Sequence, residues 1–160
     1  MPNATVAWPH CHEFLKLSGY ILMWHLLLNS IFSLIDGLNL PRQVSSDVEM
    51  KNAMCNSWLH SHFISSVIVF SSKGKCPLKI HLGNSHNSHT GEIIACYVNC
   101  PGSWHDSCVA AGIYRKLKNK TPNGFCFVAD LVFPQGNDQV MGKIHVPLKA
   151  GQPLLLDFGE

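Results

Sequence analysis

Apolar residues occur in blocks along the chain, and their spacing predicts the main elements. Residues 15–28 are apolar nearly all round, which is typical of a buried helix, and residues 31–35 predict a strand that ends at Asp36. Residues 64–70 and 92–99 are rich in β-branched side chains, so they predict two further strands.

The second half of the chain predicts one more helix and one more strand. Residues 103–118 have apolar positions at helical spacing, although Gly112 weakens a helix by about 1 kcal/mol. A Thr-Pro-Asn-Gly turn then precedes residues 125–129, which predict a strand ending at Asp130. The mixed composition of residues 45–62 predicts a short helix or a loop.

A long polar segment separates two of the predicted strands. Residues 75–91 are rich in Gly, Asn, Ser and His and exceed the two to five residues of an ordinary hairpin loop. They supply little apolar surface to bury, so we interpret them as an insertion and expect an exposed, poorly ordered excursion.

The order of elements predicts an α/β fold, with a mixed sheet flanked by helices in one domain. An apolar fraction of 46% and a charged fraction of 14% argue against a disordered polymer. The net charge of +2 is too small to indicate nucleic-acid binding by itself.

Cysteines and the longest apolar run both favour an intracellular protein away from membranes. Seven cysteines without a repeating spacing do not indicate a disulfide framework. Cys96 and Cys100 would lie about 13 Å apart on a strand, too far to share one zinc ion. Residues 19–35 are interrupted by His25 and Asn29, which favours a buried helix and strand over a transmembrane helix.

Two aspartates are the strongest candidates for chemistry, because each directly follows an apolar strand. Ligands gather at the carboxyl ends of strands in open α/β sheets, so Asp36 and Asp130 would reach one pocket if their strands are neighbours. A divalent ion such as Mg²⁺ would neutralise the two carboxylates. Taken alone, an aspartate after a strand also fits an ordinary turn residue.

Three segments resemble motifs of one family, the DDE superfamily endonucleases related to PIF/Harbinger transposases in their fungal form. Residues 33–41 (SLIDGLNLP) resemble its first-aspartate motif, and residues 99–107 (NCPGSWHDS) resemble its PGSxHDS motif. Residues 128–134 (VADLVFP) resemble its second-aspartate motif, although Leu131 and Val132 replace the usual small residues. The resemblance covers roughly residues 30–74 and 92–152.

This resemblance implies an RNase H-like fold, here incomplete, in a nuclear protein that acts on DNA. It implies that Asp36 and Asp130 are catalytic ligands of Mg²⁺ or Mn²⁺ and that a glutamate on a later helix is the third acid. The family's PLKAG-like segment matches residues 147–151, after which only nine residues follow. We therefore expect residues 1–160 to form a partial domain without the third-acid helix, with residues 1–30 as a preceding helical segment.

The middle motif allows two interpretations of its His-Asp pair. Ser103 and Asp106 fit a helix capping box, in which Asp106 and His105 have a structural role near the positive end of the helix dipole. Direct metal ligation by Asp106 is the alternative. Basic residues at the end of the same helix fit either a solvated helix end or contact with DNA phosphates; these are Arg115, Lys116, Lys118 and Lys120.

Two classes of function follow from these patterns. One is a metal-dependent DNA endonuclease or transposase-derived domain, catalytically incomplete, that acts on phosphodiester bonds. The alternative is a non-catalytic DNA-binding or protein-interaction remnant of the same ancestry, or a decayed gene product. Whether the chain is an enzyme therefore depends on the arrangement of its acids.

Overall fold

Helices flank a six-stranded mixed sheet, so the predicted α/β fold class is confirmed. The structure is a computed structural model that describes residues 6–72, 91–133, 140 and 142–147. In chain order the elements are α1 (Phe14–Trp24), β1 (Ile31–Pro41), α2 (Val48–Met54), β2 (Cys55–Asn56), β3 (Ser61–Ser71), β4 (Glu92–Pro101), α3 (Asp106–Val109), α4 (Ala111–Lys120), β5 (Cys126–Ala129) and β6 (Ile144–His145).

Strand β1 lies at the centre of the sheet, with neighbours of opposite sense on its two sides. The order is β2-β3-β1-β5-β6, and β4 also pairs with β3. β3 is antiparallel to β1 and to β4, whereas β5 runs parallel to β1 and β6 runs parallel to β5. The carboxyl ends of β1 and β5 therefore point the same way.

The core is formed where the helices pack on the sheet. Ile113 and Leu117 of α4 are fully buried with Ile35 of β1 and Val67 of β3 in the main apolar cluster. An aromatic group joins α1 to the start of β1 and β5, with ring centroids 4.7 Å apart for Phe14 and Phe32 and 5.1 Å apart for Phe32 and Phe127. These contacts fix the strands that carry the candidate acids.

Predicted strands are found at residues 64–70, 92–99 and 125–129, with ends shifted by a few residues, but two predicted ends in the first half are wrong. β1 continues past Asp36 to Pro41, because β3 supplies an antiparallel partner as far as the pair Pro41 and Phe63. α1 ends at Trp24 rather than at residue 28, and the chain then turns through Ser30, whose φ is 65°, before β1 begins.

The helix predicted over residues 103–118 is also corrected. It starts at Asp106, because residues 101–104 form a turn closed by a hydrogen bond from the Trp104 N–H to the Pro101 carbonyl (3.0 Å). It is divided into α3 and α4 around Ala110. The two-residue strands β2 and β6 were not predicted, since so short a segment carries no periodic pattern.

Several predictions fall outside the described residues. Of the segment 75–91, the structure describes only Gly91, and residues 148–160, which include most of the PLKAG-like segment, are not described. In the described ranges, no helix has the length and apolar character needed to cross a bilayer.

Candidate functional site

Asp36 and Asp130 lie at the same edge of the sheet. Ile35 of β1 pairs with Ala129 of β5 in parallel register, and an aspartate follows each of these residues. Paired strands run about 4.8 Å apart, so Asp36 and Asp130 occupy neighbouring positions directly after this pair. The sequence placed Asp36 at the end of its strand; the structure places it inside β1, at the point where the pairing with β5 ends.

Each of these aspartates is held by the backbone that follows it. Oδ1 of Asp36 accepts a hydrogen bond from the Gly37 N–H at 2.8 Å, and Oδ1 of Asp130 accepts one from the Leu131 N–H at 2.5 Å. Both residues are exposed. A carboxylate held through one oxygen at the surface can present the other to a ligand.

Asp106 is a third carboxylate in this neighbourhood, and Gly37 makes room for it. A Cβ at position 37 would overlap the Asp106 carboxylate, so only glycine fits there without a shift. Burial raises the pKa of Asp106, and the charges of Asp36 and Asp130 raise it further, while nearby His105 lowers it. We call Asp36, Asp106 and Asp130 the aspartate group.

His105 caps the helix that begins at Asp106, so the predicted capping box with Ser103 as its first residue is wrong. The Nδ1 atom of His105 accepts a hydrogen bond from the Ser107 N–H at 3.3 Å and lies 2.8 Å from the Ser107 hydroxyl. Ser103 lies in the preceding turn, where its N–H donates to the Ala53 carbonyl at 3.2 Å. His105 therefore has a structural role, as predicted, but as the capping residue itself rather than as a member of a box capped by Ser103.

Tyr114 is a buried polar residue close to this site that the sequence showed only as part of a helix. Ala110 links it to Asp106 through successive helical hydrogen bonds, and helical side chains lean toward the amino terminus, here toward Asp106. Its hydroxyl has no hydrogen-bond partner among the described residues. Burial raises the pKa of Tyr114, and the negative charges of Asp106 and Cys108 add to this.

The basic end of α4 lies away from the aspartate group. α4 ends at Lys120 and leads into the start of β5, whereas Asp130 follows the end of β5. Lys116 lies over the ring of Trp8, with its Nζ 6.0 Å from the ring centroid. The basic helix end therefore lies at the opposite edge of the sheet from the aspartate group.

The described part of the chain does not contain a complete set of metal ligands in place. Within those ranges, no three His, Cys, Asp or Glu side chains are already placed to hold an ion together. The candidate site consists of the exposed carboxylates of Asp36 and Asp130, with the partly buried Asp106 beside them.

The fold and the site define an α/β protein with an acidic edge on a mixed sheet. Comparison with known protein families, curated proteins and solved structures found no match. The family resemblance of the three sequence motifs, the metal and the DNA substrate accordingly stay predictions.

Proposed function

We propose that this chain is a metal-dependent nuclease domain of the DDE type, related to PIF/Harbinger transposases, which acts on DNA phosphodiester bonds in the nucleus. The observation that carries this proposal is the parallel pairing of Ile35 with Ala129, because it brings Asp36 and Asp130 to one edge of the sheet. The mixed sheet flanked by helices is compatible with the RNase H-like fold that the resemblance implies.

Asp36 and Asp130 would hold the divalent ion. Their hard carboxylate oxygens are the donors that Mg²⁺ and Mn²⁺ prefer, and each side chain is oriented by one backbone N–H. A bound ion of this kind lowers the pKa of water and stabilises a leaving oxygen. Asp106 adds negative charge beside the pair, which increases the attraction for a cation.

Cleavage by this chain should be slow. Two carboxylates can hold one ion, but a second ion needs further oxygen ligands. Losing one electrostatic contact to the leaving oxygen commonly costs about 3–4 kcal/mol, or roughly a factor of 10² to 10³ in rate.

A nicking assay on supercoiled DNA with Mg²⁺ or Mn²⁺ tests the proposal. We expect slow cleavage that Asp36→Ala and Asp130→Ala abolish and that Glu49→Gln preserves. Glu49 is a matched acidic control because it is exposed on α2, outside the strands and the helix that carry the aspartate group.

Equal background in all variants would exclude the nuclease. Salt-dependent DNA binding without cleavage would then select the non-catalytic DNA-binding remnant. Absence of a cooperative unfolding transition would instead indicate a decayed gene product.

A further inference from the structure

The residues next to Asp36, Asp106 and Asp130 in the chain are mostly apolar rather than basic. No Lys or Arg lies within two residues of Asp36, Asp106 or Asp130. Large apolar side chains are exposed at those positions instead; they are Leu38 (42%), Trp104 (51%), Leu131 (46%) and Val132 (42%). Phosphates are repelled by carboxylates, so a nucleic acid held here would need contacts to its bases in addition to a bridging cation.

Trp104 is the one aromatic residue in this set, and its backbone is held on both sides. Its N–H donates to the Pro101 carbonyl at 3.0 Å, and the carbonyl of Gly102 accepts a hydrogen bond from Asn56 Nδ2 at 3.0 Å. On the other side, His105 caps α3. Gly102 itself packs so closely on the Phe63 and Met54 carbonyls that a Cβ would not fit. Because the backbone of this turn is already fixed, only the Trp104 side chain has to be ordered when a ligand binds.

Trp104 is also within reach of a nucleotide bound at the acids. Two residues span at most about 7 Å, so the Cα atoms of Trp104 and Asp106 lie no further apart than that. The Asp106 carboxylate in turn contacts Gly37, the neighbour of Asp36. The bases next to a phosphate bound at the aspartate group are therefore at a distance that a tryptophan side chain on this turn can span.

We propose that Trp104 stacks on an unpaired base next to the phosphate bound at the aspartate group, so that the preferred substrate is single-stranded or locally unpaired DNA. Base faces are available for such stacking only where the duplex is open. This inference rests on the proposed nuclease function for the position of the phosphate. It adds a substrate class that the arrangement of acids does not itself specify.

Binding assays on the full chain test the stacking. Fluorescence anisotropy would measure the affinity for a short labelled oligothymidine and for a duplex of equal length, at fixed salt and with Ca²⁺. Trp104→Leu should weaken single-strand binding roughly 5- to 150-fold, as expected for one stacked base. Trp104→Phe should retain most of the affinity, and duplex binding should change by less than about 3-fold.

Trp58→Leu is the matched control for an exposed indole, because Trp58 is even more exposed (88%) and its loop meets the Trp104 turn at Gly102 rather than at the aspartate group. It should bind single strands like the unmodified chain. Thermal melting of each variant shows whether the fold is kept.

Several results would overturn the stacking proposal: no single-strand binding by the unmodified chain, no loss in Trp104→Leu, or an equal loss in Trp58→Leu or on duplex DNA. The nuclease is judged separately, by Asp130-dependent nicking. A Trp104-dependent preference for single-stranded over duplex DNA, without such nicking, would overturn the nuclease proposal and support the stacking proposal. Asp130-dependent nicking without a Trp104 effect would support the nuclease and overturn the stacking proposal.

Discussion

The Asp106 carboxylate lies against Gly37, so the middle sequence motif packs on the strand that carries the first candidate acid. Nothing larger than the hydrogen of glycine fits at position 37 while Asp106 keeps its place. Burial raises the pKa of Asp106, and this contact places Asp106 close enough to Asp36 and Asp130 for their charges to raise that pKa further.

Gly37→Ala should therefore destabilise the fold and displace Asp106. Because the displaced atoms are the end of the Asp106 side chain rather than backbone, the loss should lie at the lower end of the roughly 1–3 kcal/mol typical of overpacking. Urea denaturation measures the loss. Gly19→Ala is the control, because Gly19 lies in α1 with no atom within 4 Å of an added Cβ. That change should stabilise the chain by roughly 0.5–1 kcal/mol through helix propensity. Equal effects of the two substitutions would contradict the contact.

Gly112→Ala should destabilise the protein even though alanine favours helices. The hydroxyl and ring of Tyr97 occupy the place of a Cβ at Gly112, so β4 and α4 approach each other through this glycine. We expect a loss of about 1–3 kcal/mol in unfolding free energy.

A double-mutant cycle with Tyr97→Ala separates crowding from helix propensity. Once the ring is removed, Gly112→Ala should become stabilising by up to about 1 kcal/mol. A stabilising Gly112→Ala in the presence of Tyr97 would mean that the partly exposed ring moves aside at little cost.

The sequence predicted elements whose signal is local and missed those that depend on a partner. β3, β4 and β5 follow from β-branched residues, whereas the extension of β1 beyond Gly37 depends on pairing with β3. Asp36 and Asp130 were chosen as candidates because each follows a run of apolar residues. The contact between Asp106 and Gly37 could not be predicted, because it requires the packing of α3 on the sheet. Capping by His105 is a local interaction, but the Ser-x-x-Asp pattern favoured Ser103 as the cap instead.

Cys126 should react slowly with iodoacetamide and should make stability depend on alkaline pH. Burial raises the pKa of its thiol, and nearby Lys143 only partly opposes this. At a given pH the folded protein therefore holds less thiolate at Cys126 than an exposed cysteine would. Peptide-level mass spectrometry should show slower alkylation of Cys126 than of Cys11 and Cys108, which are exposed.

The sign of the pH effect follows from the raised pKa. The unfolded thiol ionises first, so the contribution of Cys126 to stability is complete below the unfolded pKa and is lost as the pH rises through the folded value. Cys126→Ala should flatten the alkaline part of a plot of unfolding free energy against pH. Alkylation of Cys126 at the rate of Cys11 would show that the thiol is accessible.

Mg²⁺ should stabilise the folded chain through Asp36 and Asp130. An ion that binds only the folded state stabilises it by RT ln(1 + [L]/Kd), which is about 1.4 kcal/mol at a concentration ten times Kd. For a chain of this size, that corresponds to a rise in Tm of roughly 3–6 °C. Asp36→Asn and Asp130→Asn remove one carboxylate charge each while keeping similar shape, so each should abolish most of the rise.

Glu49→Gln, an equal change of charge on α2, should leave the rise intact. Calorimetry of the four proteins with and without Mg²⁺, at constant ionic strength, measures the difference. If Mg²⁺ raises Tm equally in all four, the ion binds elsewhere, and the edge formed by β1 and β5 is not its site.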